Sequence, residues 1–307
     1  MLCLSNDSGA NPERLAILVL VGMRLLDYQN DVFSQNGEDG ILAQVFKIIG
    51  VRHKRCMEFG AWDGLYLSNV ARLWADEGWE AILAEKDRSR FDQLVRNTSD
   101  KPVECHNFAV ESTGDHSIDT ILNGRELDLI VIDVDGDDWL LWKSMVCRPR
   151  VAVIEYNCSV PLGISMAQAS GEYFGASAQV LIDIGRRKGY SLVEMNICNC
   201  FFVQDEYLPL FNGYELDPAK LFDPRFLVYA VSAFDRRMAL TSNESAWGVF
   251  QTCTVNKIQL AICCADQGVA QSSRAPGLGP GGCRSEACHP DHFYSNGLVY
   301  RTVNKTI

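Results

Sequence analysis

The chain has 307 residues, 47% of them hydrophobic and 22% charged, a globular composition long enough to bury a sizeable core. Its net charge of −11, from 28 basic against 39 acidic residues, argues against a general phosphate-binding surface, so no nucleic-acid partner is expected. The 12 cysteines are scattered up to a cluster near the end, and a chain of this size does not depend on a disulfide framework, which favours a reducing, cytoplasmic setting.

The first apolar stretch is LAILVLVGMRLL, residues 15–26. It is too short to span a membrane, and Asp7 and Glu13 precede it where a signal peptide would carry basic residues. Residues 1–33 therefore read as an N-terminal segment holding a buried or partly amphipathic helix. From residue 36 onward, helical and strand-like stretches alternate. GEDGILAQVFKIIG carries apolar residues at helical spacing and closes on Gly50, and RCMEF after it reads as a short strand. LYLSNVARLWADEG predicts an amphipathic helix ending at Gly78, WEAILAEKD a strand, RSRFDQLVRN a helix, VECHNFAV a strand and SIDTILNG a short helix. LDLIVIDVD is nearly continuous in apolar residues, as in a strand covered on both faces. A helix is expected at 137–146, then the strand VAVIEYN and the helix GASAQVLIDIGRRKGY. YSLVEMN and CFFVQ lie so close together that they must pair antiparallel.

Strand–helix alternation of this kind makes a mostly parallel sheet with helices on both faces, here closed by an antiparallel hairpin. That is a doubly wound, Rossmann-like α/β domain over 34–204. Residues 205–307 form an extension without clear periodicity. Within it, 268–290 is expected to be disordered, given the Gly-, Pro- and Ser-rich run at 272–290. Cys283, Cys288, His289 and His292 could bind zinc, although their spacing fits no standard site.

Chemistry concentrates where the strands end. In MEFGAWDG, Gly60 and Gly64 lie in the turn after the first strand, where glycine lets a ligand approach the backbone. Glu58 and Asp63 stand beside them, and the G-x-G-x-x-G of pyrophosphate binders is missing. Acids at this place suit a cationic ligand, or one offering hydroxyl and ammonium donors. Glu85 ends the second strand, where doubly wound folds hold a ribose diol. Asp133 ends the most apolar strand, with Asp135, Asp137 and Asp138 close behind. That run resembles a calcium loop only superficially, since the glycine comes too early and Ser144 stands at the twelfth position. Glu155 and Asn157 alternate along the next strand. If that strand neighbours the one ending in Asp133, the three oxygens of Asp133, Glu155 and Asn157 converge as candidate Mg²⁺ ligands; the other reading is a hydrogen-bonded rim without metal.

The series SQNGEDGIL, MEFGAWDG, AEKD, NFAV, IVIDVDGDD and AVIEYN, with NCFFV at 199–203, resembles the FkbM-type, class I S-adenosylmethionine-dependent methyltransferases over about residues 34–204. The resemblance implies a seven-stranded sheet with its last strand antiparallel. It implies that Glu58, Gly60 and Gly64 line the methionine part of the cofactor with Ala61 beside them, while Asp63 either touches the cofactor or only caps the helix that begins at Gly64. It further implies that Glu85 binds the ribose hydroxyls, that Lys86 contacts the cofactor, that Ala109, within Asn107–Val110, lies near the adenine, and that Asp133 sits between cofactor and substrate. Ser34, Gln35 and Asp39 read either as a lid or cofactor contact, or as part of a helix N-terminus where Glu38 and Asp39 favour the dipole. The implied activity is methyl transfer to an oxygen of a sugar or other small hydroxylated molecule, with Asp133 as first candidate base and Glu155 as second. Two other readings stay open: a scaffold that keeps the fold without turnover, and a nicotinamide-dependent oxidoreductase, against which the missing glycine fingerprint counts.

Overall fold

The computed structural model describes residues 22–227, together with 230–232, 234 and 238–240. Most of the expected N-terminal helix, the cysteine–histidine cluster and the Gly/Pro-rich stretch of the extension lie outside the described residues. Residues up to Leu227 form one compact unit and those from Val228 a second. In the second unit, strands Ala230–Ser232 and Met238–Leu240 pair antiparallel.

The first unit is built on seven strands: β1 (Arg55–Phe59), β2 (Glu80–Ala84), β3 (Val103–His106), β4 (Leu129–Ile132), β5 (Val151–Glu155), β6 (Tyr190–Met195) and β7 (Asn199–Gln204). Their spatial order is β3-β2-β1-β4-β5-β7-β6. Every pairing from β3 to β5 is parallel, and β7 runs antiparallel to both β5 and β6. The expected hairpin is therefore present, with its second strand inserted between β5 and β6. The order reverses direction between β1 and β4, and doubly wound sheets bind ligands outside the carboxyl ends at such a switch point.

Six helices over 38–188 separate the strands: α1 (Glu38–Ile49), α2 (Ala71–Asp76), α3 (Arg88–Asn97), α4 (Ile118–Leu122), α5 (Asp138–Ser144) and α6 (Ala178–Lys188). Helix α1 begins at the acids of QNGEDG and stops at Gly50, whose positive φ and backbone N–H to Phe46 end it. Its Ile41, Leu42, Val45, Phe46 and Ile49 are buried against one sheet face. That face presents Cys56, Ala81, Leu83, Leu129, Val131, Val151, Val153, Phe201 and Val203. On the other face, Trp142 of α5 stacks on Phe202 and meets Tyr190 edge-on, and Gly185 of α6 lies against Phe202.

The sequence places the helix after β1 too early. The segment from Leu65 does not enter a helix until Ala71. Asp63 Oδ1 accepts from the backbone N–H groups of Leu65 and Tyr66, Leu67 takes φ 58°, and Ser68 Oγ accepts from Val70 and Ala71. These side chain–backbone bonds compete with helix and delay its start.

One buried ion pair and one half-buried ion pair fasten the unit. Asp128 accepts from the N–H groups of Arg52, His53 and Lys54 and from Arg150 at 2.8 Å, below the sheet's amino edge. Arg24 donates to buried Glu194 at 2.5 Å and to the carbonyls of Met195 and Leu221. The second pair ties the short 3₁₀ turn Leu25–Tyr28 and the stretch after β7 to β6, so residues 205–227 pack with the sheet. Among the described residues no helix is long and apolar enough to cross a membrane.

Candidate functional site

Side chains alternate across a strand, and residues paired across strands share a face. The apolar face toward α1 can therefore be followed to the carboxyl edge. Its last complete rung is Leu83 (β2), Glu58 (β1), Val131 (β4), Val153 (β5) and Phe201 (β7). One residue pair further, the register brings Glu85, Gly60, Asp133, Glu155 and Asn199 into a single row, the last two as direct partners. Because β7 is antiparallel, it contributes its first residue where the other strands contribute their last. Four polar side chains thus continue an apolar surface, interrupted at the switch point by the missing side chain of Gly60.

The gap at Gly60 is enforced. Its φ is +77°, and a Cβ there would overlap the carbonyl oxygen of Asp133. Backbone N–H groups of Gly60 and Ala61 donate to Ala84 O, which locks the turn against β2. Gly64, φ +85°, is held close to Leu94 of α3. Trp62, Leu67 and Asp135 take φ of 52°, 58° and 61°, so the loops after β1 and β4 carry most of the left-handed non-glycine residues among those described. Strain of this kind collects at binding sites.

Glu58 lies one rung deeper, beneath the gap, and is 3% exposed. Ser68 Oγ donates to its Oε2 at 2.6 Å and the N–H of Asn69 to Oε1 at 2.8 Å. Burial pushes its carboxyl up to about 7, with those two bonds opposing. Glu85 is also buried. Its Oε2 accepts from the N–H of Trp62 at 3.0 Å and its Oε1 from the N–H of Asp87 at 2.7 Å, so it organises the loops after β1 and β2. The guanidinium of Arg90 covers the Trp62 ring at 3.3 Å. Asn107 donates to the carbonyls of Glu85 and Lys86, which fastens the end of β3 beside them. Lys86 and Ala109 are exposed at this corner.

Asp133 and Glu155 differ from the other acids. Both are half-buried, and their carboxyl groups hydrogen-bond to each other. Burial and then the carboxyls around them hold both well above the usual range, so the pair retains a proton near neutral pH. Asp138 is saturated by the N–H groups of Val134 and Gly136, while Asp137 anchors the segment after β5 through Gln168, Ser170 and Gly171. Asn199 was not singled out by sequence reasoning. Its Nδ2 donates to Glu38, its Oδ1 has no hydrogen-bond partner, and it is 2% exposed. Its signal lay in the hairpin: a polar residue opening an otherwise apolar strand, opposite the end of β5.

One expected convergence is corrected. Asn157 does not join Asp133 and Glu155: its Oδ1 accepts from Ser159 N and Oγ, and its Nδ2 donates to Phe174 O. The chain leaves the strand at Glu155, so strict alternation no longer applies two residues on. Among the described residues no group of three or more His, Cys, Asp or Glu is arranged to hold a metal ion. Of the readings left open for Ser34 and Asp39, their bonds match the helix N-terminus. Asp39 Oδ2 accepts from the N–H groups of Val32, Phe33 and Ser34 and from Ser34 Oγ, closing the loop that enters α1. Asp63 likewise spends Oδ1 on its own turn.

A cleft of about 580 Å³ lies at the opposite, amino edge of the sheet. Its Arg125 and Arg150 are already paired with Glu104 and Asp128.

No family model and no curated protein matches the chain. Solved structures with similar chain course include an S-adenosylmethionine-dependent methyltransferase from Clostridium acetobutylicum ATCC 824, at 8% identity, covering 54% of this chain and 90% of that one, with a TM-score of 0.37. Another is CalS10, an amino pentose methyltransferase from Micromonospora echinaspora, at 12% identity, 65% and 100% coverage and a TM-score of 0.37. A third is the [4+2]-cyclase SpnF, at 8% identity, 60% and 69% coverage and a TM-score of 0.36. Similarity this low says nothing of chemistry, and one fold serves many reactions.

Proposed function

We propose that this chain is an FkbM-like, S-adenosylmethionine-dependent methyltransferase acting on a hydroxyl of a small molecule such as a sugar. The observation that carries the reading is the interrupted polar row at the sheet's switch point. Gly60 leaves a cradle that any Cβ would fill, and carboxyls lie below and beside it without a basic partner. A ligand bearing an ammonium and a sulfonium fits that charge. Glu58, Gly60, Ala61 and Gly64, with the loop that Asp63 shapes, would hold its methionine part. Glu85, Lys86 and Ala109 would hold the nucleoside. When bound, the cofactor supplies an electrophilic methyl group.

The chain's own residues supply position and proton transfer. Asp133 stands next to the gap, where an acceptor hydroxyl would be aligned with the methyl group. Its raised basicity, set by burial and the surrounding acids, suits removal of the hydroxyl proton near neutral pH. Glu155 shares that proton and orients the carboxyl.

Calorimetry with S-adenosylhomocysteine tests the binding half, and absence of binding overturns the reading. Asp133→Asn should leave that affinity within about threefold while lowering turnover about 10²-fold or more, the usual worth of a general base. Equal losses in both would remove Asp133 from the proposed role.

A further inference from the structure

The acids of the carboxyl edge differ in what already satisfies them. Glu58 has Ser68 and Asn69, Glu85 has the N–H groups of Trp62 and Asp87, and Asp138 has those of Val134 and Gly136. Asp133 and Glu155 have only each other. Asn199, directly opposite Glu155 on the same face, adds a buried carbonyl oxygen with no partner at all. Its orientation is fixed, because Nδ2 is held by Glu38 Oε1 at 3.0 Å. Leaving a buried acceptor orphaned is costly, so a donor brought to it is favoured. Three adjacent acceptor groups without a cationic partner, one of them an orphaned buried oxygen, call for a ligand rich in donors. A hydroxyl brings one donor, an ammonium three together with a matching charge.

The row also orders the ligand. From the gap outward come Asp133, Glu155 and Asn199 on three neighbouring strands, each spaced by about 4.8 Å. We propose that the acceptor is a small amino alcohol, amino sugars included, whose ammonium group seats between Glu155 and Asn199 while its neighbouring hydroxyl meets Asp133. The place of the hydroxyl rests on the proposed methyl transfer; the ammonium seat rests on the row alone. Other groups facing the seat are Asp135, Asp138 and Glu58 from the sheet edge, Glu38 from α1 and the Cys198 thiol, none of them cationic. An arriving ammonium therefore displaces the proton held by the pair.

The test is calorimetry on the full chain with ethanolamine, with ethylene glycol as its uncharged twin, in two buffers of different ionisation enthalpy. Ethanolamine should bind at least tenfold more tightly than the glycol and release about one proton, and Glu155→Gln should abolish that preference. No ethanolamine binding, equal binding of the glycol, or an unchanged preference in Glu155→Gln overturns the proposal. So does Mg²⁺ binding that excludes ethanolamine, since it would assign the three oxygens to a metal. If Glu155→Gln fails to fold, proton release by the wild-type chain decides, and zero release overturns the seat. S-adenosylhomocysteine is titrated into the same samples. Ethanolamine binding without it would retain the ammonium seat and reject methyl transfer; the reverse would do the opposite.

Discussion

Glu58→Gln neutralises a carboxyl buried beneath Gly60 without changing its shape. In the folded chain that carboxyl titrates at about 7, against 4.5 when unfolded, because burial disfavours its charged form. Below pH 4.5 it is protonated in both states and has no effect on stability. Between 4.5 and 7 the unfolded chain releases a proton that the folded chain keeps, so stability falls as pH rises, and the loss is complete above 7. At about 1.36 kcal/mol per pH unit over that interval, the penalty is about 3 kcal/mol. The glutamine variant escapes it. For a unit of this size 1 kcal/mol shifts the melting temperature by about 2–4 °C, so the variant should melt about 6–12 °C above wild type at pH 8. At pH 4.5 the two should nearly coincide. The assay is thermal unfolding of both chains at half-unit steps from pH 4.5 to 8.5. Parallel curves across that range would place an ordinary carboxyl at Glu58 and rule out the penalty. The gain at high pH should also come with weaker S-adenosylhomocysteine binding, as acids kept at a functional site commonly lower stability.

Two other substitutions probe the frame. Gly60→Ala must place an L-residue at φ +77° against the Asp133 carbonyl; it should destabilise the unit by about 2 kcal/mol or more and abolish S-adenosylhomocysteine binding, measured by urea unfolding and calorimetry. Wild-type affinity in a folded Gly60→Ala chain would remove the cradle from the site. Asp137→Ala releases Gln168, Ser170 and Gly171, so chymotryptic cleavage after the exposed Tyr173 or Phe174 should quicken several-fold with little change in melting temperature. An unchanged cleavage rate would mean that another contact holds the segment.

Much of the fold was legible because period and punctuation agreed. RCMEF is β1 residue for residue, and RSRFDQLVRN is α3, capped by Asp87. The helix after β1 was misplaced because its apolar spacing hid the local bonds of Asp63 and Ser68, which act before any helix can start. Within the site, Glu58, Gly60, Glu85, Asp133 and Glu155 were legible as strand ends. Their division of labour was not, because whether an acid is satisfied depends on N–H groups many residues away, such as Trp62 for Glu85. Asn157 misled for the opposite reason: its period fitted the strand, but the strand had already ended. Asn199 shows in the sequence only as a polar residue opening an apolar strand; its place beside Glu155 follows from β7 inserting next to β5, which no local pattern states.

That insertion also has a temporal meaning. The strand between β5 and β6 is the last of the seven to leave the ribosome, and it alone brings Asn199 alongside Glu155. A nascent chain that stops short of Gln204 can pair β1 to β5 in their final order and still leave one side of the row open. The seat for a donor-rich ligand is thus among the last features to form, and such a ligand stabilises only chains that have completed the sheet.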